Sequence, residues 1–77
     1  MREGLWRQIA SDLERDVLMA ECWEDDELWG EIAQGETSVD TYLFAHYDGA
    51  PWRLPLWRAL RLMRAARRHL LGEPVTI

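Results

Sequence analysis

The side chains of this short chain best suited to reaction chemistry are one thiol, two imidazoles and a set of carboxylates. Cys22 lies between Glu21 and Trp23. A nucleophilic thiolate needs a cationic or basic neighbour, and an adjacent carboxylate pushes a thiol pKa the other way. Cys22 therefore reads as a small buried hydrophobe. His46 and His69 are far apart in the chain and belong to no recognisable catalytic signature. His46 reads as a half-buried partner for a backbone or carboxylate group. His69 reads as a cation in the last turn of a helix. With Cys22 they give neither Cys-x-x-Cys nor His-x-x-x-His spacing, so no zinc site is expected. The run Glu24-Asp25-Asp26-Glu27, extended by Glu31, lacks the alternating ligands and central glycine of a calcium loop. Asp12 and Asp16 are spaced like a carboxylate pair that flanks a glycosidic bond, but so short a chain offers no cleft to hold one. No glycine-rich phosphate loop, serine elbow or dinucleotide fingerprint occurs. The expectation is a protein that is not an enzyme and holds no metal and no cofactor.

Binding chemistry is better represented. The 77 residues include 14 acids, nine arginines and no lysine, a formal net charge of −5. Residues 1–48 carry 13 of the acids and three arginines, and residues 49–77 carry one acid and six arginines. Either the two blocks fold onto each other and pair, or one is left facing a partner of opposite sign. Arg58, Arg61, Arg64 and Arg68 recur at three- and four-residue spacing, which lays them along one helical face. The planar guanidinium fork grips phosphate or carboxylate at two points. Five tryptophans are many for a core this small, and Trp and Arg dominate binding hot spots. Trp52 and Trp57 are assigned to partner contact beside the arginines, and Trp6 and Trp29 to the core. Asp12, Asp16, Glu24, Asp25, Asp26, Glu27 and Glu31 make a candidate acidic face suited to a cationic groove.

The leading expectation is a small acidic protein-binding adaptor or inhibitor that works by steric and electrostatic occupancy of a partner protein. Its sharpest form is a phage-type inhibitor that imitates nucleic acid with its acidic N-terminal half. The alternative is a nucleic-acid or phosphate-contacting module built on the arginine-rich helix, against which the acidic pI near 4.9 argues. A homodimer is a natural way for so small a core to gain buried area. No apolar run approaches the ~18 residues of a membrane span, and no export signal is visible. One unpaired cysteine fits a reducing, cytoplasmic compartment.

These residues need elements to position them. Hydrophobic residues make up 48% of the chain, a globular composition for one domain over 1–77. Leu5, Ile9, Leu13, Val17 and Ala20 recur at four, four, four and three, which predicts a helix over 2–23. Acids at 24–27 followed by Leu28, Trp29, Ile32 and Ala33 predict a second helix over 25–34, weakened by Gly30 and stopped by Gly35. Val39, Leu43 and Tyr47 predict a third over 38–47. The competing reading is a short hairpin over 38–54, with Asp48-Gly49 as its turn and Ala50 to Leu54 as its return strand. Pro55, the Leu56–Leu60–Met63–Leu70 stripe and Gly72 predict a final helix over 54–71. The expected fold is thus an all-α bundle of three to four helices, with residues 72–77 as a flexible C-terminal tail.

Overall fold

The four acids at 24–27, expected to open a helix, instead close a hairpin. The computed structural model describes residues 3–12, 17–35 and 38–73, with the side chain of Asp12 outside that set. In it, Glu24 pairs with Glu27 across strands β2 (Val17–Glu24) and β3 (Glu27–Gln34). Asp25 takes φ 53°, a left-handed conformation that short polar residues tolerate in tight turns. Its carboxylate accepts the Gly4 N–H at 2.7 Å, its own N–H donates to the Gly4 carbonyl at 2.9 Å, and its carbonyl accepts the Trp6 indole N–H at 2.7 Å. One aspartate thereby fastens the hairpin tip to the start of strand β1 (Leu5–Asp12).

Strand β4 (Val39–Leu43) adds to the far side of β3, completing an antiparallel meander in the order β1-β2-β3-β4. The single helix α1 (Leu56–Leu70) packs over β1, β2 and β3. The all-α bundle is therefore wrong. Of the helices expected over 2–23, 25–34, 38–47 and 54–71, only the last exists. A spacing of four residues does not separate a helix from a strand, because i and i+4 share a face at period 2 as well as at period 3.6. Leu5 and Ile9 obey both rules. The hairpin alternative over 38–54 does not form either. Residues 39–43 form a strand, but its partner is β3, and Ala50 to Leu54 pair with nothing as a strand.

Cross-strand neighbours share a face, so the register sorts the side chains. Ile9, Ala20, Ile32 and Thr41 make one row toward the helix, and Arg7, Cys22 and Gly30 make the next. Between Cys22 and Trp23 the register slips, and Trp29 becomes the extra residue of a bulge on β3. The bulge turns the Trp29 ring into the core with Ala20, Cys22, Ile32, Leu62 and Ala66. Gly30 follows because a Cβ there would meet the Tyr42 carbonyl at 3.2 Å. Trp29 is thus a core residue as expected. Trp6 is not in that core. It lies half-buried on the opposite face, stacked on Trp23.

The helix begins after Pro55, which precedes rather than opens its first turn. It ends in a Schellman arrangement: the Gly72 N–H donates to the His69 carbonyl at 3.2 Å and the Glu73 N–H to the Arg68 carbonyl at 2.8 Å, with Gly72 at φ 73°. Residues 72–73 of the expected tail therefore cap the helix, and 74–77 lie outside the described residues.

Candidate binding surfaces

The layering separates the charges. The acidic block forms the sheet, and the basic block forms the helix that covers one face of it. On the helix-free face, Gln8, Glu21, Glu31 and Tyr42 form one cross-strand row, flanked by Trp6 and Trp23 on one side and by Ala10, Met19, Ala33 and Asp40 on the other. No described arginine belongs to these rows. Trp6 and Trp23 face each other across β1 and β2 with ring centroids 5.1 Å apart and planes 10° from parallel. Glu21 accepts the Gln8 amide at 2.6 Å and the Trp23 indole N–H at 3.2 Å, which holds its carboxylate upright over the sheet. Beside Trp23 lies a hollow of about 390 Å³ lined by Trp23, Asp26, Glu27, Leu28, Ala45 and Tyr47. The hollow joins two carboxylates to aromatic walls.

The expected acidic face is only partly assembled. Glu24, Asp25, Asp26 and Glu27 gather at the β2–β3 tip, and Glu31 lies along β3 opposite Glu21. Asp25 is committed to Gly4 and Trp6 through the contacts above. The Glu27 carboxylate lies in hydrogen-bond contact with His46 Nδ1 at 2.8 Å. Glu24 and Asp26 have no hydrogen bond or ion pair among the described residues. Asp16 lies outside the described residues, as does the side chain of Asp12.

On the opposite side of the molecule, Trp57, Arg61, Arg64 and Arg68 stand at i, i+4, i+7 and i+11 and form one exposed column along α1. Arg58 flanks it. Trp57 is 75% exposed. None of Arg58, Arg61, Arg64 and Arg68 has an ion pair among the described residues, and Arg67 meets only Glu73, at 3.9 Å. Among the described residues, the basic block therefore packs over the acidic sheet without an ion pair between the helix arginines and the sheet acids. Trp52 is not part of this column. It is half-buried, packs on the core and stacks on His46 at 3.7 Å between ring centroids.

The chemistry-bearing residues do not converge. Cys22 is buried under the helix, His46 bridges Glu27 and Trp52, and His69 is exposed on the last turn of α1. Burial pushes the Cys22 thiol up to about 11, against a smaller opposing pull from Arg7. Arg7 was not singled out in the sequence, yet it lies opposite Cys22 on the helix side with its Nε buried and unpaired. Among the described residues, no three of His, Cys, Asp and Glu come together as metal ligands. The hollow was not foreseen either, since it depends on cross-strand neighbours.

No protein-family model matches the chain, and no curated protein or solved structure matches it. Among the described residues, no helix is long and apolar enough to cross a membrane.

Proposed function

We propose that the chain is a non-catalytic protein-binding module whose helix-free sheet face occupies a cationic surface of a partner protein. The observation that carries this reading is the hollow beside Trp23. Asp26 supplies negative charge beside Glu27, whose carboxylate meets His46, and Trp23 and Tyr47 supply aromatic faces, which is the pairing that receives an arginine or lysine side chain. Glu21 and Asp40 extend the negative surface across the sheet. Such a face suits a partner groove that otherwise holds phosphates, so binding acts as inhibition by occupancy. The buried free thiol fits a reducing, cytoplasmic setting.

A nine-residue peptide alternating arginine and threonine serves as the probe, followed by amide chemical shifts at low salt. The reading expects shifts at Trp23, Asp26, Leu28 and Tyr47 and the loss of roughly tenfold in affinity on Asp26→Lys. Shifts confined to other faces, or equal binding by the variant, would refute it. A second reading rests on the unpaired Trp57–Arg61–Arg64–Arg68 column, which would track a phosphate backbone. It expects a salt-sensitive gel shift with single-stranded DNA that disappears when Arg61, Arg64 and Arg68 are changed to Ala.

A further inference from the structure

The helix packs chiefly over β1, β2 and β3, and of β4 it is Val39 that reaches the core beneath it. A groove of about 220 Å³ is left between β4 and α1. Ile32, Val39, Leu60 and Met63 make its apolar lining, Thr41 its strand side, and Arg64 and Arg67 its rim. Beside the groove, β4 is the last strand of the sheet. The Phe44 N–H donates to the Trp29 carbonyl at 3.1 Å. In an antiparallel ladder the inward-bonding residues alternate, so Tyr42 and Asp40 also bond inward. The backbone groups of Val39, Thr41 and Leu43 therefore point out of the sheet edge. The same three residues are on the helix side, next to the groove. Natural edges are blunted by prolines, bulges or inward charges. This five-residue edge has no proline and no bulge against β3, its one charge, Asp40, lies on the helix-free face, and Leu43 on it is 71% exposed.

We propose that this edge and groove take an extended acidic segment of a partner protein as a fifth antiparallel strand. The backbone of the segment would bond to Val39, Thr41 and Leu43. Its alternate side chains would enter the groove over Ile32, Leu60 and Met63, with a carboxylate reaching Arg64. Arg64 has no ion pair or hydrogen bond among the described residues, and Arg67 already meets one carboxylate, that of Glu73. Charge selects this occupant over a second copy of the chain. Antiparallel pairing of two β4 strands puts both helices on the same side of the joined sheet. It would bring Arg64 and Arg67 of both copies together while offering only Val39, Thr41 and Leu43 on that side. This site is separate from the acidic hollow, and the two proposals stand or fall independently.

The test is an amide chemical-shift titration with the peptide Thr-Val-Thr-Glu-Thr-Val-Thr-Glu-Thr, blocked at both ends, and with the same peptide carrying Lys for Glu. Shifts at Val39, Thr41, Leu43 and Arg64 are expected with the acidic peptide. The lysine peptide is expected to bind at least roughly tenfold more weakly. Arg64→Glu, a substitution at an exposed helix position that leaves the core intact, is expected to reverse that preference. Thr41→Pro removes an outward donor and is expected to abolish binding. If that variant melts early, the charge reversal at Arg64 decides alone. Equal binding of both peptides, or no shift at millimolar peptide, overturns the proposal. So do shifts at the β4 amides that grow with protein concentration in the absence of peptide, because those place a second copy on the edge.

Discussion

Cys22 is the residue whose surroundings depart most from those of the free side chain. It is 1% exposed and its thiol is raised to about 11 from an ordinary value of 9.0, first by burial and only weakly countered by Arg7. The folded protein therefore keeps the thiol neutral in a range where the unfolded chain has begun to ionise it. A group raised on folding gives its full contribution below the unfolded value and loses it as pH climbs through the folded one. Between about pH 9 and 11, urea unfolding should show stability falling by an amount on the order of 2–3 kcal/mol. The drop should be absent from Cys22→Ala, whose lower baseline reflects the lost packing. The same burial predicts that a thiol reagent modifies the folded protein at pH 8 far more slowly than the urea-unfolded chain. A flat difference between wild type and Cys22→Ala across this pH range would show that the thiol is not desolvated. The reading of Cys22 as a buried hydrophobe could be made from Glu21 and Trp23 alone. Its neighbour Arg7, brought in from β1, could not.

At the scale of elements, α1 was legible because its signals reinforce one another. The Leu and Ala positions obey the i+3 and i+7 spacings that only a helix satisfies, and Gly72 takes the left-handed cap. The strands were not legible for two physical reasons. Spacings of four fit both periods. And β3, bordered by β2 and β4, buries residues on both faces: Ile32 toward the helix and Ala33 away from it. Its sequence shows adjacent apolar pairs rather than alternation, which imitates a helical stripe. The bulge at Trp29 adds one more break in the pattern. The strand formers Val17, Trp23, Trp29, Val39 and Tyr42 were the available counter-signal. Gly30 distinguishes the two folds experimentally. In a helix, Gly30→Val would be neutral or slightly stabilising, since glycine is the poorer helix former. In the sheet, a side chain there meets the Tyr42 carbonyl, which is held in the β3–β4 ladder. A loss of roughly 1–3 kcal/mol in urea unfolding is expected. An unchanged midpoint would mean that β4 is not packed against Gly30.

For the whole molecule, the decisive property is that, among the described residues, no arginine of the helix is ion-paired with an acid of the sheet. The arginine column lies on the exposed face of α1 and Glu21 lies on the sheet face that α1 does not cover, and exposed charges more than a Debye length apart are largely screened from each other. Repulsion acts over shorter distances within the column, where Arg61, Arg64 and Arg68 are one turn apart. Folding therefore gathers like charges, which the summed charge of −5 conceals. Two consequences can be measured by thermal melts. Raising salt from low concentration to roughly 0.5 M should raise the melting temperature, because screening relieves the repulsion within the column. Changing Arg61, Arg64 and Arg68 together to Gln should leave the melting temperature unchanged or slightly higher, and should reduce its salt dependence. If the helix arginines instead neutralised the sheet, salt would destabilise the protein and the triple variant would melt several degrees lower. Stability that is indifferent to these arginines leaves their column free to meet a partner, and makes their removal a clean test of binding.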